Sequence, residues 1–140
     1  RIALVADYAH HPTELQALAQ AARARFADRR LVLLFQPHQA ARTRAYLAEF
    51  ATALARFDRV WLAPIYAARD SVADLRAVSS ADVAQRVIDA GGHARALASR
   101  DVAVPEVIAD VRSGDVVLLV GAGDIDGLRD DLAAALSGPH

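Results

Sequence analysis

The sequence predicts an α/β domain of three layers, a mostly parallel sheet of about five to six strands with helices on both faces. Uninterrupted apolar runs of strand length, clearest at Leu31 to Phe35 and Val116 to Val120, are what parallel strands covered on both faces require. Between such runs, apolar residues recur at helical spacing, so strands and helices alternate along the chain and right-handed crossovers can set the strands side by side. The unusual residues, Asp7, Tyr8, His10, His11, His38, Arg42, Tyr66, Gly121 and Gly123, all fall just beyond predicted strands. Sheets of this Rossmann-like kind bind ligands at those carboxyl ends.

Ile2 to Ala6 is the first strand, ended by Asp7. Pro12 suits the first position of a helix, where the N–H it lacks would be unpaired in any case. Leu15, Leu18, Ala19, Ala22 and Phe26 continue that helix, which leaves Asp7 to His11 as a strand-to-helix loop with His11 at the N-cap. The second strand closes at Gln36-Pro37-His38, and one helix follows it, with Arg42 in its first turn and Leu47, Phe50, Leu54 and Phe57 inward. Val60 to Ala63 is the third strand, and the polar stretch from Pro64 to Val78 reads as the longest loop. Ser80 caps a helix through Ala90 with Val83, Val87 and Ile88 inward, stopped by Gly91-Gly92. His93 to Ala98 is a short strand and Val104 to Val111 a short helix begun near Pro105. Gly121 to Asp124 is the exit loop of the Val116 strand, and Ile125 to Leu136 is the last helix.

Composition narrows the function. A chain of 140 residues makes one domain, here 1–140, and no apolar run approaches the roughly 18 residues of a membrane span. A formal charge of −1 argues against a non-specific nucleic-acid or membrane surface. The absence of Cys removes disulfides and thiolate chemistry, and without a signal-like beginning the expected setting is cytoplasmic. All 16 basic residues are Arg, and there is no Met even at position 1, which suggests a piece of a longer polypeptide.

Three corners could carry chemistry. In the first, Asp7 is a natural acceptor for a ribose diol, and the neutral imidazoles of His10 and His11 can donate and accept; equally, all three could satisfy loop backbone groups. Adjacent histidines point apart, so no metal site is expected. In the second, Arg42 can grip a carboxylate or phosphate through paired donors with His38 beside it, or lie over Tyr46 as a surface arginine. In the third, Gly121-Ala122-Gly123-Asp124 either lets a substrate approach bare backbone or makes a tight turn. It is no dinucleotide fingerprint, since Asp126 stands where the third glycine belongs. A Gly-x-x-x-x-Gly-Lys phosphate loop cannot exist without Lys.

Taken in order, Asp7-Tyr8-Ala9-His10-His11-Pro12-Thr13-Glu14, Phe35-Gln36-Pro37-His38 with Arg42-Thr43-Arg44, Tyr66-Ala67-Ala68 and Gly121-Ala122-Gly123-Asp124-Ile125 resemble the carboxy-terminal domain of the Mur ligases. The second motif resembles the members that add L-alanine to UDP-N-acetylmuramate in peptidoglycan synthesis. The resemblance implies an ATP- and Mg2+-dependent ligase of three domains that forms an acyl phosphate for the amine to attack. It implies that Asp7 binds the ATP ribose and Tyr8 lies near the adenine. His10 and His11 would shape the reaction edge as catalytic residues. His38 and Arg42 would hold the amino acid's carboxylate, with Tyr66, Gly121 and Gly123 lining the cleft. The UDP-sugar, phosphates and magnesium would belong to the domains outside this chain, so the fragment alone would bind no cofactor and be inactive. Ala6 stands where the family usually has a second aspartate and Gln39 where it has an arginine, while Ala40-Ala41 replaces a bulkier pair. A murein tripeptide recycling ligase, or a stand-alone α/β binding or regulatory domain, are the alternatives.

Overall fold

The structure, a computed structural model, describes residues 1–138. Its five strands, β1 (Ala3–Asp7), β2 (Leu31–Phe35), β3 (Arg59–Leu62), β4 (Ala94–Ala96) and β5 (Val116–Val120), form one parallel sheet in the order β1-β5-β2-β3-β4. The helices are α1 (Pro12–Arg25), α2 (Ala40–Ala45), α3 (Leu47–Leu54), α4 (Val72–Ala77), α5 (Ser80–Asp89), α6 (Ala103–Asp110) and α7 (Arg129–Leu136). Single 3-10 turns at Arg100–Val102 and Asp124–Leu128 lead into α6 and α7.

β2 and β5 are buried along their whole length, because helices cover both faces. Alternate side chains divide between two cores. Leu31, Leu33, Phe35, Val116, Leu118 and Val120 meet Leu15, Phe50, Leu54, Val83 and Val87 of α1, α3 and α5. Val32, Leu34, Val117 and Leu119 meet Val107 of α6 and Leu132 and Leu136 of α7. Crossover handedness accounts for this division. Stepping from β1 to β4 always moves the same way across the sheet, so the right-handed rule puts α1, α3 and α5 on one face. The return from β4 to β5 moves backwards and must send α6 to the other.

That reversal positions the site. The chain leaves β1 and β2 toward the first face, but leaves β5, which lies between them, toward the second. Loops diverging from neighbouring strands open a crevice at the carboxyl ends, the switch-point arrangement.

Several predicted elements differ. The single helix after β2 is two, broken at Tyr46, and Phe57 lies past its end although buried. The supposed long loop contains α4, capped by Ser71 and Asp74 in a capping box that the Ser-x-x-Asp spacing announces. Ser79 rather than Ser80 caps α5; Ser80 turns inward and its hydroxyl donates to Ala63 O at 2.5 Å. Ile88 is not inward but 47% exposed, since α5 buries only the face carrying Val83, Ala84 and Val87. The last helix begins as a 3-10 turn. No helix among the described residues is long and apolar enough to cross a membrane.

Candidate functional site

Backbone bonds tie the exits of four strands into one edge. Gly121 N–H donates to Asp7 O at 3.1 Å, joining the β1 and β5 exits. Tyr66 N–H donates to Pro37 O at 2.8 Å and Gln39 N–H to Tyr66 O at 2.9 Å, a parallel bridge that prolongs the β2–β3 pairing past the strands.

At the first corner the predicted N-cap is present. His11 has extended backbone, its Nδ1 accepts Thr13 N–H at 3.3 Å, and the Glu14 carboxylate accepts the N–H groups of His11 at 3.0 Å and His10 at 3.3 Å. Those donors, His10 N–H foremost, hold the Glu14 carboxyl below its ordinary pKa. The partners also define the imidazole tautomers. A backbone N–H can only donate, so His11 Nδ1 is bare and its Nε2 carries the proton. His10 Nδ1 lies 3.1 Å from Tyr8 O, which can only accept, so in the neutral ring Nδ1 carries the proton and Nε2 is left as an acceptor. The two histidines therefore satisfy backbone groups with one nitrogen and each keep the other. Asp7 is exposed, and Tyr8, 61% exposed, reaches the guanidinium of Arg129, which Asp126 holds at 2.7 Å.

Rings link this corner to the second. His38 stacks on Tyr66 with centroids 5.4 Å apart and planes 14° apart, and His10 meets His38 edge-on at 6.0 Å. Burial, and then the charges of His10 and Arg42, press the His38 pKa below its ordinary value, Asp70 opposing them. His38 Nδ1 is buried with no partner among the described residues. Arg42 occupies the first turn of α2, as predicted, half-buried, with its guanidinium in no hydrogen bond or ion pair among the described residues. Its paired N–H donors are therefore open to an anionic partner. Tyr46, at the break between α2 and α3, packs its ring 5.3 Å from that of His11.

Gln36 organises the third corner. It is 3% exposed, donates through Nε2 to Asp124 Oδ1 at 2.7 Å, and accepts Ile125 N–H through Oε1 at 3.1 Å. Gly121 adopts a φ of +151°, and a Cβ there would lie 3.1 Å from Gln36 O. At Gly123 the φ is ordinary, but a Cβ would come within 2.6 Å of Tyr66 Cγ. Both glycines thus permit close packing of the β5 exit on Gln36 and Tyr66.

The fold therefore gathers His10, His38 and Tyr66 into one ring-to-ring line with Arg42 beside it and Gly121 and Gly123 behind it. Asp7 and Tyr8 lie on the β1 side, next to the β5 exit. Sequence reasoning assigned no site role to Gln36 or Asp70, and took Tyr46 only as a ring that Arg42 could cover. The first was visible only as part of a motif, and the partners of Asp70 are about thirty residues away in the chain. No group of three or more His, Asp or Glu side chains among the described residues could hold a metal ion.

The family described as "Mur ligase, glutamate ligase domain" matches residues 1–123. This chain belongs to the Mur ligase family. Among curated relatives, the Mur ligase domain described here is 41% identical over 133 residues to the UDP-N-acetylmuramate--L-alanine ligase of Chlorobium phaeobacteroides, covering 94% of this chain and 28% of the relative. It is 45% identical over 139 residues to the enzyme of the same name from Halorhodospira halophila, covering 96% of this chain and again 28% of the relative. The chain thus spans little more than a quarter of these relatives. The crystal structure of the UDP-N-acetylmuramate-alanine ligase of Thermotoga maritima superposes with a TM-score of 0.71 at 25% identity, covering 97% of this chain and 27% of that one. A murein peptide ligase from Psychrobacter arcticus shares the fold, with a TM-score of 0.75 at 19% identity, over 99% of this chain and 28% of that one.

Proposed function

We propose that this Mur ligase domain is the amino-acid-binding part of an ATP-dependent ligase that joins L-alanine to UDP-N-acetylmuramate in peptidoglycan synthesis. The observation that carries this reading is the second corner: the guanidinium of Arg42, unpaired among the described residues, stands beside a His38 whose pKa burial, above all, holds below its ordinary value. The relatives named as L-alanine ligases support the choice of amino acid. In this reading Arg42 grips the carboxylate of the incoming amino acid through paired N–H donors. His38, stacked on Tyr66, walls the pocket and sets the approach of the amine. His10 Nε2, an acceptor, stands ready to take a proton from the ammonium, and His11 Nε2–H to donate to a phosphate oxygen.

The residues of the β1 exit fit a nucleotide's sugar and base. The exposed carboxylate of Asp7 would accept from ribose hydroxyls, and the exposed ring of Tyr8 offers a face to adenine. ATP would supply the phosphoryl group that activates the substrate carboxylate. With no Lys in the chain, the phosphates and Mg2+ would be held by parts of the ligase outside it. The soluble, cytoplasmic setting expected from composition accords with nucleotide-linked substrates.

The test is ligation by the full-length enzyme. Phosphate release should require ATP, UDP-N-acetylmuramate and L-alanine together, and Arg42→Ala should raise KM for L-alanine by about 30-fold or more, as loss of a charged hydrogen-bonding pair implies, with KM for ATP little changed. An unchanged KM for the amino acid removes Arg42 from the site. The 140-residue chain alone should hydrolyse no ATP, and turnover by it would refute the assignment of the phosphate site to other domains.

A further inference from the structure

The helix that carries Arg42 begins without a local cap. Gln39 stands at its N-cap with a φ of 69°, and its side chain makes no capping hydrogen bond. The other helix starts at this edge are capped from within, by His11 at α1, Ser71 at α4 and Ser79 at α5. The first N–H groups of α2 still need acceptors. Asp70 provides both from the exit segment of β3: Oδ2 accepts Ala40 N–H at 2.7 Å and Oδ1 accepts Ala41 N–H at 3.1 Å.

Two consequences follow from one carboxylate spanning two segments. Asp70 already occupies the N–H groups of Ala40 and Ala41, so a ligand carboxylate arriving at this corner meets chiefly the side chains of Arg42 and His38. The exit of β3 is also fastened to α2 at the Asp70 contacts as well as at the Tyr66 backbone bridge, so Arg42 and the Tyr66–His38 stack are held as one unit. Gln39 can keep its left-handed backbone under these restraints, with its carbonyl accepting from both the N–H and the hydroxyl of Thr43 at 3.0 and 2.8 Å.

We propose that Asp70 is a positioning residue of the amino-acid site, setting the guanidinium of Arg42 relative to His38 by capping α2 across the chain. The proposal rests on the reading that His38 and Arg42 receive the amino acid's carboxylate. Asp70 touches no substrate itself.

In the full-length ligase, Asp70→Ala should raise KM for L-alanine by about tenfold, the affinity equivalent of one lost helix cap, while kcat at saturation and KM for ATP stay within about twofold. Asp70→Asn keeps one acceptor oxygen and should fall between wild type and Asp70→Ala. An unchanged KM for L-alanine overturns the proposal. So does an equal rise in every KM accompanied by a fall in Tm, which would mark a merely structural cap. Failure of the underlying reading looks different: the wild-type enzyme would show no turnover dependent on L-alanine. NMR of the 140-residue chain then decides. Asp70→Ala should move the Arg42 Nε–H and His38 ring resonances together with the Ala40 and Ala41 amides, and movement of the two amides alone defeats the proposal.

Discussion

Gly123 and Gly114 separate two reasons for a glycine, and replacing each by alanine tests the packing of the candidate site. At Gly123 the φ of −96° is open to any residue, but the new Cβ would lie 2.5 Å from Gln36 Oε1 and 2.6 Å from Tyr66 Cγ. Neither neighbour yields easily. Gln36 is buried and bonded to both Asp124 and Ile125, and Tyr66 is clamped by its backbone to Pro37 and Gln39. Overpacking of this kind costs about 1–3 kcal/mol, or about 3–10 °C in Tm for a domain this size. At Gly114 the situation is reversed, with a φ of +94° and nothing within 4 Å of the added methyl. Its alanine variant should lose about 1–2 kcal/mol to backbone strain alone. Thermal unfolding measures both losses, and NMR of the His38 ring distinguishes them. Gly123→Ala must shift Tyr66 and therefore the ring-current environment of His38, whereas Gly114→Ala must leave it alone. A Gly123→Ala variant that unfolds at the wild-type temperature, or that loses stability with His38 unmoved, would refute the packing argument.

Other consequences can be checked on the same chain. The lowered pKa of His38 means that the unfolded chain binds a proton there more readily than the native one, so stability falls as pH drops through the ordinary histidine range toward the native pKa. His38→Gln should flatten that part of a denaturation-against-pH curve, and an identical curve would show that folding does not lower the His38 pKa. Asp58 is held below its ordinary pKa although burial works to raise it, because Arg23 donates to it at 2.9 Å and Leu31 N–H at 2.7 Å. Its contribution is present above the ordinary carboxylate range and is lost as pH falls through the native pKa. Asp58→Ala should therefore cost about 1–2 kcal/mol at neutral pH, after allowance for partial exposure, and little in acid. On the proposed function, Asp7→Asn in the full-length enzyme should raise KM for ATP about tenfold and leave that for L-alanine unchanged, the converse of Arg42→Ala. Equal effects on both would refute the proposed division of the edge into nucleotide and amino-acid sides.

What the sequence determined by itself were the elements whose cause is local. Leu31–Phe35 and Val116–Val120 were legible to the residue because a strand buried on both faces must be apolar throughout. The start of α1 was legible because His11, Pro12 and Glu14 carry its cap within four residues. Motif order likewise pointed to the family. Tertiary structure decided whatever depends on residues far apart in the chain. The inward face of α5 was misjudged at Ile88 because helical spacing does not say how wide a stripe the sheet will cover. The break at Tyr46 was not visible, since propensity alone would carry one helix from Ala40 to Leu54. Above all, the roles of Gln36 and Asp70 come from partners 28 to 89 residues away, brought close only when β5 inserts between β1 and β2 and the β3 exit folds back over α2. Local chemistry writes strands and caps into the sequence, but which carboxylate meets which helix start is fixed by strand order, and no local pattern encodes that.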